Sequence, residues 1–169
     1  KGLTLAQASG IAGNFSRESG FNPAIVQGGV SATDGYTPVD GTGFGIAQWT
    51  DAGRQAGLVV LSQTSKRSII DLSLQLDYTS HELSSHRLQA LTSLKTETTA
   101  HNAAYVIHRN YEASADTEEQ VLKNRGGDAL NIYQQFKVII SDGTSDTASE
   151  NRVCEGGGSS DFVNNFTVY

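Results

Sequence analysis

The chain has 169 residues and a mass of 18.0 kDa, which is the size of one compact domain with room for a tail. Its net charge of -6 argues against a nucleic-acid-binding protein and gives no long-range attraction to anionic polymers. No segment reaches the length of a membrane span, and the lone Cys154 provides no disulfide framework within the chain. Because methionine is absent even at position 1, we expect an excised piece of a larger multidomain protein.

The first predicted helix ends at a glutamate. Gly20 and Pro23 stop this helix, so Glu18 lies at its carboxyl end, where the helix dipole disfavours a charged carboxylate. If Phe15 and Phe21 shield it from water, its pKa rises toward the range of a general acid; the alternative is a solvated glutamate at a helix end. The helix is predicted from apolar residues at helical spacing, namely Leu5, Ala8, Ile11, Ala12 and Phe15.

The next stretch, residues 24–50, is dense in turn-forming residues. Asp34, Pro38 and Asp40 lie among its glycines, which predicts irregular loop with short strands or a small hairpin. Loops of this length inside a compact domain are usually functional. The stretch ends in the more apolar segment Gly-Phe-Gly-Ile-Ala-Gln-Trp-Thr at residues 43–50.

From Asp51 to Ile140 the pattern is helical, giving about six helices in the whole chain. The predicted capping residues are Thr50 or Asp51, Ser68 with Asp71, and Asp116 with Glu119. The predicted apolar faces carry Leu58 and Leu61; Leu72, Leu76, Thr79 and Leu83; Leu88, Leu91 and Leu94; Ala100, Ala103, Ala104, Ile107 and Tyr111; and Leu122, Ala129, Leu130, Tyr133 and Phe136. The expected fold class is α+β and predominantly helical.

After Ile140 the composition changes to Ser, Asp, Gly and Thr. Such a segment cannot bury enough apolar surface to order itself. We therefore expect one catalytic domain over residues 1–140, followed over residues 141–169 by a flexible linker and the start of a further segment.

Two motifs in this order carry a resemblance to a known family. Glu18-Ser19-Gly20-Phe21-Asn22-Pro23, followed by Gly45-Ile46-Ala47-Gln48-Trp49-Thr50, resembles the phage-tail lysozyme family of the lysozyme-like superfamily. The chain is similar, more remotely, to lytic transglycosylases, whose pattern is Glu-Ser-x-Phe followed by Gly-Leu-Met-Gln. The resemblance covers about residues 2–138, including Asn110-Tyr111-Glu112. It implies a lysozyme-like fold with a small Gly-rich hairpin or loop lobe after the first helix.

The resemblance implies that Glu18 is the catalytic general acid. Its target would be the β-1,4 bond between N-acetylmuramic acid and N-acetylglucosamine in peptidoglycan. Hydrolysis usually needs a second carboxylate, for which Asp34 comes first and Asp40 second, although Asp-Gly is also a turn signal. If neither acts, Glu18 serves as acid and then base, as in lytic transglycosylases.

The same resemblance suggests which residues bind substrate. Gln48 would hydrogen-bond sugar or an N-acetyl group, or else tie the hairpin to the helix. Phe44 and Trp49 would stack on sugar faces, unless one of them is core. Tyr111 would line the floor of the cleft, with a core position the alternative. Gln27 is a weaker candidate.

No metal or cofactor is expected. The histidines His81, His86, His101 and His108 lack a third ligand at zinc-site spacing, and the aspartates do not fit a calcium loop. The predicted function is a peptidoglycan-degrading glycosidase, a muramidase, whose partners are glycan strands. We expect it to act extracellularly, at a cell surface or on a virion. The alternatives are a lytic transglycosylase and a non-catalytic peptidoglycan-binding module.

Overall fold

The structure is a computed structural model that describes residues 2–112 and 115–143, and the side chains only as far as residue 140. In chain order its elements are helix α1 (Leu5–Ser19), strands β1 (Ile25–Val26) and β2 (Val30–Ser31), helices α2 (Ala52–Ser65), α3 (Leu72–Ser84), α4 (Leu88–Thr96) and α5 (Ala100–Ile107), the π-helical segment π1 (His108–Glu112), helix α6 (Glu118–Val121), the π-helical segment π2 (Leu122–Gly126) and helix α7 (Gly127–Gly143). This confirms a predominantly helical α+β fold with a small Gly-rich lobe after the first helix.

Helix α1 begins and ends at residues that its sequence predicts or explains. Thr4 caps the start, because its side chain accepts from the Gln7 amide while its own amide donates to the Gln7 side chain. Gly20 adopts a left-handed conformation (φ 59°) and donates its N–H to the carbonyl of Ser16 at 3.1 Å. The helix therefore ends one residue after Glu18, as predicted to within a residue.

Two glycines let the neighbouring helices approach α1 closely. A Cβ atom on Gly10 would lie 2.4 Å from the Cβ of Ala103 in α5, and one on Gly13 would lie 2.4 Å from the carbonyl oxygen of Arg125 in π2. These separations are far inside van der Waals contact, so only glycine fits. The approach of π2 at Gly13 also brings Arg125 alongside the last turns of α1.

We expect Gly13→Ala to destabilise the fold by about 1–3 kcal/mol, because the added methyl overpacks this contact. Gly127 is the matched control: it has ordinary helical angles (φ -61°, ψ -46°), and an added Cβ would meet no atom within 4 Å. Gly127→Ala should stabilise by about 0.5–1 kcal/mol through helix propensity. Urea unfolding measures both free energies. Equal effects of the two substitutions would contradict the close packing.

The Gly-rich lobe is a small antiparallel hairpin that continues into the apolar segment after it. Glycines 28 and 29 form its turn with φ angles of 91° and 84°, a conformation that favours glycine. The observed pairs are Ile25 with Ser31 and Val26 with Val30, extended by single bridges between Val26 and Phe44 and between Phe44 and Trp49.

Two buried glutamines from the helical lobe hold this hairpin lobe in place. Gln75 of α3 accepts from the Ile46 amide at 2.9 Å and donates to the carbonyls of Pro23 and Ile69 at 2.8 and 2.7 Å. Gln55 of α2 donates to the Thr42 and Trp49 carbonyls, both at 2.8 Å. A loop lobe with few apolar residues is thus fixed by side-chain amides that satisfy its backbone.

The helix starts differ from the prediction in two places. Asp51 caps α2 as expected, but the cap of α3 is Asp71 and not Ser68. The Ser68 hydroxyl instead donates to the Asp34 carboxylate at 2.6 Å. Thr117, not Asp116, caps α6, because its side chain accepts the amide hydrogen three residues on.

The predicted last helix is interrupted, and this changes which face is buried. Leu130 is 45% exposed although its spacing placed it on the buried side with Ala129. The prediction assumed one uninterrupted α-helix, whereas π2 adds a residue to one turn, so that Val121 and not Leu122 is buried in line with Ala129. Helix α7 also continues to Gly143, past the expected boundary at residue 140, while the linker predicted over residues 144–169 falls outside the described residues. Over the described part of the chain, no helix has both the length and the apolarity to cross a membrane.

Candidate active site

Glu18 lies in a cleft between the end of α1 and the hairpin lobe. The cleft has a volume of about 340 Å³. Its described lining residues are Glu18, Gln27, Gly43, Ala47, Gln48, Thr50, Arg54 and Glu112. The first motif, the second motif and the late helical segment therefore meet at one place.

The end of α1 is fastened directly to the opposite lobe. The Ser19 hydroxyl donates to the carbonyl of Ile46 at 2.9 Å. Phe15 below is fully buried and Phe21 is partly buried, so apolar rings do lie on both sides of the helix end. The side chain of Glu18 itself is 20% exposed, which leaves its carboxylate accessible to a ligand in the cleft.

The partner of Glu18 is Arg125, a residue that sequence reasoning missed. Its Nη1 lies 2.6 Å from Glu18 Oε1, and its Nη2 lies 3.2 Å from Asp116 Oδ2. Arg125 Nη1 also approaches Asn14 Oδ1 at 3.5 Å, one helical turn before Glu18. Because the Arg125 side chain is only 8% exposed, the pair fixes the position of the Glu18 carboxylate.

The two glutamines predicted to bind substrate both line the cleft, and both also brace the lobe. The side-chain Oε1 of Gln27 accepts from the backbone amide of Gly43 at 3.0 Å, and the backbone amide of Gln27 donates to the Gly43 carbonyl at 2.8 Å. Gln48 has a left-handed backbone (φ 44°), and its Nε2 donates to the carbonyl of Gly45 at 3.0 Å. Both alternatives considered for Gln48 are thus compatible with its position.

The prediction that Phe44 and Trp49 stack on sugar is wrong. Both side chains are fully buried in the core, so neither ring offers a face to a ligand. Phe44 packs against Tyr36, with ring centroids 4.9 Å apart, and Trp49 packs edge-on against Tyr78 at 5.5 Å. Apolar burial is the stronger demand on these rings, since each removes a large apolar surface from water.

The buried carboxylate of Glu82 binds Arg54, which lines the cleft, and two neighbouring core side chains. Arg54 donates two hydrogen bonds to it at 2.7 and 3.0 Å, and Trp49 Nε1 donates a third at 2.9 Å. Tyr111 donates a fourth through its hydroxyl, and its ring carries the Arg54 guanidinium 4.6 Å from its centroid. Tyr111 is therefore core, as its alternative held, and it supports the cleft through Arg54. Burial alone would raise the pKa of Glu82, but the Arg54 guanidinium with the Tyr111 and Trp49 donors lowers it.

Glu112 is a second carboxyl group in the Glu18 cleft, and sequence reasoning did not assign it a role. The residue is partly exposed, yet its Oε1 atom is buried without a hydrogen-bond partner among the described residues. Burial, followed by the negative charge of Glu18, raises the pKa of Glu112 to about 8. The sequence did offer a signal for Glu112, because it follows Tyr111 in the Asn110-Tyr111-Glu112 segment that belongs to the family resemblance.

Asp34, the predicted second carboxylate, lies in a different depression. That depression has a volume of about 310 Å³ and includes Tyr36, Lys66 and Ser68, whose hydroxyl donates to Asp34. Asp40 is exposed and does not line the Glu18 cleft. A catalytic role for either aspartate stays a prediction that their positions do not support.

A further depression, of about 620 Å³, shares Arg54 with the Glu18 cleft and also contains His81 and His86. It does not include Glu18 or Glu112, so the chemistry favours the smaller cleft. The described residues contain no group of three or more His, Cys, Asp or Glu side chains placed to hold a metal ion. His101 packs against Gly126, and Cys154 lies outside the described residues.

Comparison with known proteins agrees with the resemblance seen in the two motifs. Residues 1–136 match the sequence profile of the phage tail lysozyme family. The match spans α1, the hairpin lobe, π1, π2 and most of α7, and so includes all the cleft residues. No curated protein matches the chain significantly.

Proposed function

The chain belongs to the phage tail lysozyme family, and on that premise we propose that it is a glycosidase that degrades peptidoglycan. Family membership supports a lysozyme-type activity at this coarse level. We further propose the bond and the acid: the β-1,4 bond between N-acetylmuramic acid and N-acetylglucosamine, protonated by Glu18. The place of action would be the cell wall, reached from a virion or from outside the cell, with this chain as a module of a larger protein.

The observation that carries the proposal is the position of Glu18. A carboxyl group stands at the mouth of a cleft, partly exposed, with one oxygen held by Arg125. Because Oε1 is held at 2.6 Å, the rotamer is fixed and the other oxygen is available for a substrate. A fixed carboxyl group facing a groove is what general-acid catalysis at a glycosidic bond requires.

The chemical step depends on that position. Glu18 gives its proton to the bridging oxygen as the bond from this oxygen to C1 of the muramic acid breaks. N-acetylglucosamine then leaves with a free 4-hydroxyl group. In hydrolysis, water adds its oxygen to C1 and a proton returns to the carboxylate, so that one water is consumed for each bond. Gln27 and Gln48 line the cleft on the lobe side, which supports the proposal that they hydrogen-bond the glycan there.

One observation favours a second candidate, the lytic transglycosylase route. Asp34 does not lie with Glu18, so the hairpin lobe supplies no described carboxylate to activate water in this cleft. In the second route the 6-hydroxyl of the muramic acid attacks C1 and returns its proton to Glu18. No water is consumed, and the product carries an internal anhydro ring.

Purified sacculi incubated with the protein should release soluble disaccharide-peptide fragments. Mass spectrometry of these fragments identifies the route, because a reducing muramic acid end contains one water more than an anhydro end. Either product supports cleavage of the glycan strand. Protein that binds sacculi without releasing fragments would support the non-catalytic binding module instead, and fragments cut only at peptide bonds would contradict the proposed bond.

A further inference from the structure

The Glu18 cleft contains one carboxyl group more than a single general acid requires. Glu112 ends π1 and lines the same cleft, and its Oε1 is buried without a hydrogen bond from any described residue. A buried carboxylate oxygen without a donor is costly, and native structures rarely keep one without a purpose. Because Oε1 itself has no accessible surface, a protonated Glu112 would offer its hydrogen to a ligand from the other carboxyl oxygen, Oε2.

The charged groups around Glu112 are committed to other partners. Glu18 faces it from α1, Arg54 from α2, Glu82 from α3 and Arg125 from π2. Arg125 is paired with Glu18, and Arg54 is paired with Glu82. The Glu18 carboxylate therefore opposes a second negative charge in the cleft, and no described cation forms an ion pair with Glu112.

The pKa shifts of Glu112 and of the neighbouring His108 are consistent with a neutral Glu112 carboxyl group. Its pKa is raised to about 8, first by burial and then by Glu18, while Arg54 and Arg125 oppose the shift. His108, one turn earlier on π1, has its pKa lowered by burial and by Arg125. His108 is thus neutral over the range in which Glu112 titrates, and it does not obscure that titration.

We propose that Glu112, as a neutral carboxylic acid, is a catalytic residue that donates a hydrogen bond to an acceptor oxygen of the bound glycan, beside the acid Glu18. This inference rests on the proposed function of the cleft and extends it. A protonated carboxyl group cannot take a proton from water, so Glu112 is not the missing base. It holds the sugar against Glu18 and keeps a second negative charge out of the cleft.

The test compares Glu112→Gln with Glu119→Gln across pH 5 to 10. Glutamine keeps a hydrogen-bond donor and cannot ionise, so turnover of sacculi at pH 6 should stay within about tenfold of wild type. In the wild type, the KM for sacculi should rise as the pH rises through about 8, because the hydrogen bond from Glu112 to the bound glycan is lost, and in Glu112→Gln this rise should be absent. Glu119 is an exposed residue of α6, and its variant should keep the wild-type profile.

Three results would overturn the proposal. A rise in KM with pH that is the same in Glu112→Gln as in the wild type shows that another group controls it. Loss of activity as complete as that of Glu18→Gln shows that Glu112 works as a charged base or nucleophile. Full activity in Glu112→Ala, at a pH where that variant is folded by circular dichroism, shows that no donor is needed.

Two further measurements separate this inference from the proposed function, because they need no catalysis. Binding of a soluble GlcNAc–MurNAc tetrasaccharide, measured by calorimetry, should weaken above pH 8 in the wild type and not in Glu112→Gln.

The second measurement is the pH dependence of the stability of the folded protein. The pKa of Glu112 is higher in the folded protein than in the unfolded chain. The protonated Glu112 therefore contributes stability that is complete below about pH 4.5 and is lost as the pH rises through about 8. The midpoint of thermal unfolding of the wild type should therefore fall relative to that of Glu112→Gln between pH 5 and pH 8; a constant difference would overturn the neutral carboxyl group even if no activity were found.

Discussion

Replacing Glu18 by glutamine should lower the turnover of purified sacculi by about 10³-fold, within the range that general acids supply. The amide cannot give a proton to the glycosidic oxygen. Its oxygen can still accept from Arg125, so the pair that positions the side chain is kept. The rate of clearing of a sacculus suspension measures the loss, while circular dichroism and urea unfolding check that the variant folds like the wild type.

The matched control is Asp34→Asn, the same exchange of acid for amide on the hairpin lobe. The asparagine oxygen can still accept from Ser68, and Asp34 lies outside the Glu18 cleft, so turnover should change by less than about twofold. A loss in Asp34→Asn as large as in Glu18→Gln would restore Asp34 as the second catalytic carboxylate. Normal turnover by Glu18→Gln would mean that another residue is the acid.

Replacing Glu82 by alanine should cost about 3–5 kcal/mol of unfolding free energy, the largest loss expected for a single residue beneath the cleft. Glu82 is 3% exposed and accepts from Arg54, Trp49 and Tyr111. Its removal leaves the Arg54 guanidinium without its carboxylate and two buried donors without an acceptor. Urea unfolding at pH 7 measures the loss, and Glu119→Ala on the exposed side of α6 should change stability by less than about 0.5 kcal/mol.

Glu82 should also account for part of the loss of stability of the fold at acidic pH. Arg54 and the neutral donors hold the pKa of Glu82 below its usual value, although burial alone would raise it. Its contribution is therefore present above the unfolded value near pH 4.3 and is lost as pH falls through the lowered folded value. Glu82→Gln should remove this part of the pH dependence. An identical acid limb in both proteins, or a loss below about 1 kcal/mol in Glu82→Ala, would contradict the importance of this cluster.

The parts of the site that sequence reasoning located are those with local signals. The helix end beside Glu18 was predicted because Gly20 and Pro23 stop the helix, and the hairpin lobe because its glycines and aspartates form turns. Such signals act over a few residues, where backbone sterics decide the conformation. The roles expected of Glu18, Gln27 and Gln48 came instead from the resemblance of the two motifs to the phage-tail lysozyme family.

The parts that it missed depend on distant packing. Arg125 lies 107 residues after Glu18, and the residues adjacent to it in the sequence do not indicate that it pairs with Glu18. Phe44 and Trp49 were predicted to stack on sugar unless one of them is core, because aromatic rings suit both sugar and core, and only the packing distinguishes the two. Leu122 was predicted to be buried where Val121 is, because an apolar pattern read at 3.6 residues per turn does not register an added residue.

The two π-helical segments also decide which kinds of sequence change the cleft tolerates. Glu112 is the last residue of π1, and Arg125 lies within π2, so Glu112 reaches the cleft and Arg125 reaches Glu18 from turns that contain an extra residue. Shortening such a turn by one residue restores the regular α-helix and rotates everything beyond it by about 100°. Substitution of the exposed Lys123 leaves that geometry alone, whereas its deletion would turn Arg125 away from Glu18. Homologous chains that share this chemistry should therefore vary at the exposed positions of these turns and hardly at all in the length of the turns.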